Sequence, residues 1–239
     1  MTMGSDWTWT LVLPGGVLRS AAVERVLAIA GAVGLSPWRP GGGINGFDTA
    51  PGREGEHRVV DWARMVDGLV TGTWSTNLWT RSEVDIWFSV KPGGPQDTVT
   101  MSLNSCHSWR EPVAEAQPFR DLHRLLTELW VSIAGEFGAV FGRVEDEWSW
   151  EQIWAGLDDP YSYDVPPPPG SWPEWLSWTT YFGADRYRRL PPLPMGPSVR
   201  EMPDGAAVIA LLDDPADVDP VRFARLHHAF RQALGPTTT

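Results

Sequence analysis

Carboxylates and indoles alternate in one short stretch of this chain, Glu145-Asp146-Glu147-Trp148-Ser149-Trp150-Glu151-Gln152-Ile153-Trp154, and Asp158-Asp159 extends it. Such a mixture suits two kinds of chemistry. Paired carboxylates either side of a glycosidic bond can serve as acid and base. Indoles set inside an acidic rim can instead anchor a basic protein partner. On a helix, Trp150 and Trp154 lie one turn apart, and Glu147 and Glu151 share a neighbouring stripe. The same spacing also suits an amphipathic helix that docks its indoles on the protein body and solvates its acids. A second acidic cluster, Asp213-Asp214-Pro215-Ala216-Asp217-Val218-Asp219, contains a natural helix N-cap at Asp217 or Asp219, with Pro220 opening the helix. Capping leaves Asp213 and Asp214 for a surface role. The cluster lacks the glycine and terminal glutamate of a calcium loop.

Other reactive residues form weaker constellations. Cys106-His107 follows a strand pattern, where neighbours point to opposite faces, so a thiolate–imidazole pair is geometrically poor. His227-His228 falls on a predicted helix, where adjacent side chains diverge by ~100° and cannot share one metal. Gly41-Gly42-Gly43-Ile44-Asn45-Gly46 lacks the GK[ST] ending of a phosphate loop and reads as a flexible loop. No GxSxG, HExxH or EF-hand pattern is present. The sequence calls for no catalytic residue, no cofactor and no metal.

Fifteen tryptophans, a single lysine (Lys91) and a net charge of -11 set the surface chemistry. The acidic excess repels nucleic-acid phosphates and favours basic partners. One cysteine permits no intrachain disulfide, and no run approaches the ~18 apolar residues of a membrane span. The first residues lack a basic n-region and break at Pro14-Gly15-Gly16, unlike a signal peptide. A cytoplasmic protein without membrane or direct nucleic-acid contact is the expectation.

The elements that must position these residues follow from periodicity. A strand is predicted over Trp7 to Leu13, then a helix from Val17 to Val33 with Leu18, Ala22, Val26, Ile29 and Val33 on its apolar stripe, and Gly34 as its cap. Residues 35 to 55 read as a long loop and Val59 to Val70 as a short helix. Glu83 to Val90 and Thr98 to Leu103 alternate around Pro92-Gly93-Gly94-Pro95 as a hairpin. A long helix runs from Pro118 to Phe137, followed by a strand over Ala139 to Val144. The second part repeats the grammar: a strand over Glu174 to Phe182, a short helix over Ala184 to Leu190, a hairpin of Ser198 to Met202 with Ala206 to Leu212, and a closing helix over Val221 to Leu234. The prediction is therefore an α+β fold, mainly antiparallel and covered by helices. Its two halves share a strand-helix-hairpin-helix order, with the first ferredoxin-like. Residues 1–144 and 174–239 form these halves, packed as one unit, and 145–173 the acidic, Trp- and Pro-rich connector.

In the second half, Trp178-Thr179-Thr180-Tyr181-Phe182-Gly183, Arg186-Tyr187, Leu190, a Pro-Asp-Gly turn and Asp213-Asp214-Pro215 resemble immunity proteins of bacterial polymorphic toxin systems, in particular the immunity protein 52 family. The strand Asp85-Ile86-Trp87-Phe88-Ser89 fits the same resemblance, which spans most of the chain. It implies a non-catalytic α+β protein that neutralises a co-encoded toxin, often a nuclease, and it brings no functional residues with it. A basic, nuclease-type toxin is the expected partner. Glu145, Asp146, Glu147, Trp148, Trp150, Glu151, Trp154, Asp158, Asp159, Asp213 and Asp214 are the expected contact residues. The alternative is an enzyme or binding module that takes a glycan or small molecule on tryptophan platforms and paired carboxylates.

Overall fold

The computed structural model of the chain describes residues 5–50, 52–147, 177–190, 192–193 and 196–219. Its first strand, β1 (Trp7–Pro14), shows how the fold is specified. Trp7, Trp9, Leu11 and Leu13 alternate with Thr8 and Thr10, so one face is buried and the other half-buried. β5 (Asp85–Lys91) and β6 (Gln96–Leu103) obey the same two-residue period, with Ile86, Phe88 and Val90 facing Leu103, Met101 and Val99 across the ladder. β6 pairs with β1 in a register that sets Trp9 against Met101 and Leu11 against Val99. Alternation thus fixes which face becomes core.

Three helices cover that face. α1 (Ser20–Ala32) buries Val23, Val26, Leu27 and Ala30, a stripe rotated from the predicted one, and Val33 is left exposed. The helix starts at Ser20 rather than Val17, and ahead of it the Leu18 N–H donates to the Asp97 carboxylate at 2.8 Å. Gly34 follows at φ +90°, a left-handed conformation that stops the helix. α2 (Trp62–Val70) is capped by Asp61, whose side chain accepts the Arg64 N–H at 2.8 Å. α3 (Gln117–Phe137) has Pro118 in its first turn, buries Phe119, Leu126, Leu129, Trp130 and Ile133, and ends at left-handed Gly138. α3 lies over β1, α2 over the strands on the other side, and α1 packs between the two helices.

The predicted loop over 35–55 contains a strand instead. β2 (Ile44–Asp48) pairs with β3 (His57–Val60) on one side and with β4 (Trp74–Trp79) on the other. β3 takes the first residues of the predicted helix at Val59, and Asp61 marks the true helix start. β4, Trp-Ser-Thr-Asn-Leu-Trp, has no apolar alternation because its non-core face is polar and its ends are aromatic.

β7 (Phe141–Asp146) pairs with β1, and its outer edge accepts β8 (Thr179–Phe182). A short helix, α4 (Ala184–Tyr187), leads on to the hairpin of β9 (Ser198–Glu201) and β10 (Ala207–Ala210). The result is one ten-stranded antiparallel sheet in the order β3-β2-β4-β5-β6-β1-β7-β8-β10-β9. The fold is α+β, with a large antiparallel sheet and a few helices. The two parts of the chain share this sheet in place of forming two similar halves side by side. The reason lies at β7, whose free edge pairs Phe141 with Phe182 and Val144 with Thr179. The predicted closing helix over Val221 to Leu234 lies outside the described residues.

Candidate functional site

The first acidic cluster opens inside β7. The strand runs two residues beyond the predicted Val144, so Glu145 and Asp146 alternate across the sheet and cannot act as a pair. Asp146 stands opposite Trp7 on the helix-covered face and accepts the indole N–H of Trp178. Glu145 stands opposite Thr8 on the other face, accepts the Ser177 hydroxyl at 2.6 Å, and lies 3.5 Å from the Arg143 guanidinium. Both side chains are buried, which corrects their expected place on an exposed connector. A carboxylate of this kind holds neighbouring strands and loops together; it does not meet solvent. Glu147 is exposed, and its backbone N–H donates to the Asp6 carbonyl at 2.9 Å. Trp148, Trp150, Glu151, Trp154, Asp158 and Asp159 lie outside the described residues.

The second acidic cluster comes to the same end of the sheet, 67 residues later in the chain. Leu211 donates its backbone N–H to the Trp178 carbonyl at 2.8 Å, which sets Asp213 and Asp214 beside Trp178. The two carboxylates part company there. Asp213 is exposed. Asp214 is gripped by Arg120 of α3 through Nε at 2.9 and 3.0 Å and Nη2 at 2.8 Å, and it also accepts the Ala216 N–H at 2.9 Å. The Arg120 hydrogen bonds hold the Asp214 carboxyl below the usual carboxylate range, against the upward push of burial. Arg120 spends its remaining Nη1 on the Val113 carbonyl at 2.9 Å. Asp214 is thus a clasp between the β10 exit and α3.

Around this clasp lies a depression of about 470 Å³, lined by Arg120, His123, Arg124 and Thr127 of α3, by Trp7 and Trp178, and by Asp213 and Asp214. The α3 residues recur at three- and four-residue spacing, so one helical face forms one wall. His123 stands edge-to-face on Trp7, with centroids 4.7 Å apart and planes at 87°, and near Trp9 and Phe119 at 5.2 and 5.9 Å. Burial among these rings pushes its pKa down to about 3, and the Asp214 charge offsets only part of that. Its Nε2 has no hydrogen-bond partner among the described residues. The imidazole is therefore neutral at any physiological pH. Trp9 donates to the Thr127 hydroxyl at 3.0 Å and Trp130 to the Thr10 carbonyl at 2.9 Å, so these buried indoles are satisfied from α3 and β1.

Sequence reasoning did not single out Arg120, His123 or Trp7 as members of this site. Trp178 was visible only as part of an aromatic word. Two other motifs also take different form. Cys106-His107 lies in a single 3-10 turn (Ser105–His107) with Cys106 exposed, not on a strand. Gly41, Gly42 and Gly43 all adopt left-handed φ in a tight turn closed by Arg39, whose N–H meets the Gly43 carbonyl at 3.0 Å, and Ile44 to Gly46 belong to β2. The His227-His228 pair lies outside the described residues.

Among the described residues, no three His, Cys, Asp or Glu side chains are grouped to hold a metal ion, and no helix is long and apolar enough to cross a membrane. No protein-family model matches the chain, and no curated protein matches it. Among solved structures, the chain is similar to the Pseudomonas aeruginosa T6SS protein PA0821, at 13% identity and a TM-score of 0.46, over 96% of this chain and 74% of that one.

Proposed function

We propose that this chain is a cytoplasmic immunity protein of the immunity protein 52 kind, which binds and neutralises a co-encoded, basic, nuclease-type toxin and catalyses no reaction itself. One observation carries the reading. Between Ser198 and Asp219 stand Glu201, Asp204, Asp213, Asp214, Asp217 and Asp219 against the single arginine Arg200, and all of these acids except Asp214 are exposed. On a chain of net charge -11, these acids on the β9–β10 side of the sheet favour the approach and orientation of a cationic partner. The sequence resemblance points the same way. A binding role also agrees with the state of the depression, where Asp214 is saturated by Arg120 and His123 is held neutral with a pKa too low for a base at neutral pH.

The test is growth of cells that express the co-encoded toxin with and without this chain. Rescue by the wild-type chain, with a stable complex on size exclusion, is the expected result. Unrelieved toxicity with the chain well expressed would sink the reading.

A second reading is a module that takes a glycan or small polar molecule into the depression, whose volume of about 470 Å³ falls in the ligand-pocket range and whose lining includes Arg124, Thr127 and Asp213. Saturable changes in tryptophan fluorescence on titration with an oligosaccharide panel, without turnover, would select it.

A further inference from the structure

A large antiparallel sheet has two outer edges, and β9 is one of them. All four of its residues, Ser198-Val199-Arg200-Glu201, are exposed. Met202 donates its N–H to the Ala206 carbonyl at 2.8 Å. Because antiparallel pairs alternate between bonded and non-bonded, Arg200 (opposite Val208) and Ser198 (opposite Ala210) turn their backbone groups inward to β10. Val199 and Glu201 therefore point their N–H and C=O groups outward. Their side chains share one face, whereas Arg200 turns to the helix side and meets Glu128 of α3 at 2.7 Å. The strand's own cation is thereby neutralised. Among the described residues, what β9 offers outward is an unpaired ladder, an apolar side chain (Val199, 42% exposed) and, two residues on, the Glu201 carboxylate, which accepts the Tyr187 hydroxyl at 3.0 Å.

We propose that β9 is a strand-docking edge, on which an extended basic segment of the partner pairs and continues the sheet across both proteins. This rests on the immunity reading above for the partner's identity. Cross-strand pairing sets the segment's pattern: an apolar residue opposite Val199 and, two positions away, a lysine or arginine opposite Glu201. Charge argues against a second copy of this chain as occupant. Pairing β9 with itself would set Glu201 either against Glu201 or against Val199, and neither register supplies a counter-charge. The other edge, β3, also exposes a valine, Val59, but Arg53, Glu54, Glu56 and Arg58 balance one another there, so nothing selects a partner by charge.

The substitution Val199→Pro tests the ladder. It removes an outward N–H that β10 does not use, and proline is accepted on an edge strand in that orientation. Val199→Thr keeps the N–H and serves as its control. Affinity of the purified co-encoded toxin for each variant is measured by biolayer interferometry, with thermal unfolding as a check on folding. The expected result is about a tenfold or greater loss for Val199→Pro, from lost backbone hydrogen bonds, and a change within about threefold for Val199→Thr. If Val199→Pro proves unfolded, Glu201→Lys replaces it, with slower association at low salt that converges on wild type at high salt. Tight wild-type binding left unchanged by Val199→Pro and Glu201→Lys would overturn the edge while leaving the immunity reading intact. No binding by the wild-type chain would overturn both. Self-association of the wild-type chain in sedimentation velocity, abolished by Val199→Pro, would assign the edge to a second copy and overturn the basic partner.

Discussion

The two faces of the central sheet are built from the same three strands and behave as different materials. Behind β1, β5 and β6, the helix-covered face is Trp7, Trp9, Leu11, Phe88, Val99 and Met101, all nearly inaccessible, with Trp130 of α3 pressed onto it. The opposite face of those strands is Thr8, Thr10, Ser89, Thr98, Thr100 and Ser102, all half-buried, with Thr8 and Ser102 hydroxyls 3.4 Å apart. This second face closes up at its flanks, toward β7 around buried Arg143 and Glu145, and toward β4. There Ser75 is small enough for Phe47 and Trp87, from the strands on either side, to approach within 4.9 Å above it. The lesson is that one residue's shift along a strand separates a close-packed interior from a hydroxyl-lined surface that leaves little to pack.

That contrast can be broken at several points. The largest effect is expected from Trp130→Ala, which removes a buried indole and its bond to the Thr10 carbonyl and should cost about 3–5 kcal/mol in urea unfolding. A loss under about 1 kcal/mol would mean that α3 does not seal the face. Next comes Gly142→Ala on β7. Its new Cβ would lie 2.6 Å from Trp130 and 2.8 Å from Leu11, so strain of about 1–3 kcal/mol is expected in the same assay.

His123 gives the contrast a pH signature. Its folded pKa, about 3, lies below the ordinary 6.5, so below pH 6.5 the unfolded chain gains a proton that the folded chain refuses. Stability should therefore fall as pH drops from about 6.5 toward 3, by about 1.4 kcal/mol per unit. Asp97 and Asp214, held low by backbone donors and by Arg120 respectively, add their own losses only below about pH 4. Unfolding between pH 7 and 5 isolates the histidine, and His123→Phe should flatten that slope; an unchanged slope would place its origin elsewhere. The smallest effect belongs to the other face. Thr100→Val, at the centre of the hydroxyl rows, should alter stability by no more than about 0.5 kcal/mol, and a large loss there would show that this face is packed after all.

How legible this was depended on the local signal. β1, β5, β6 and the β9–β10 hairpin could be read because their periodicity or turn residues are written in consecutive positions. So could α3, from its apolar stripe and Pro118 in the first turn. β2 and β4 could not, since Asn45, Gly46, Ser75 and Asn77 carry strand roles that only their neighbours justify. Glu145 and Asp146 looked like the start of an acidic surface because a carboxylate's burial depends on partners, here Ser177 and Trp178, more than thirty residues away. Asp213 and Asp214 looked equivalent, and Arg120 made them different.

The sequence by itself determined the α+β class, the antiparallel habit, the acidic charge and the face of each alternating strand, because each is a sum or a short-range period. Only the tertiary structure decided that the strands join in one sheet, which acids are spent inside, and which strand is left at the edge. Those outcomes rest on pairings between distant residues, whose free energy no local window contains.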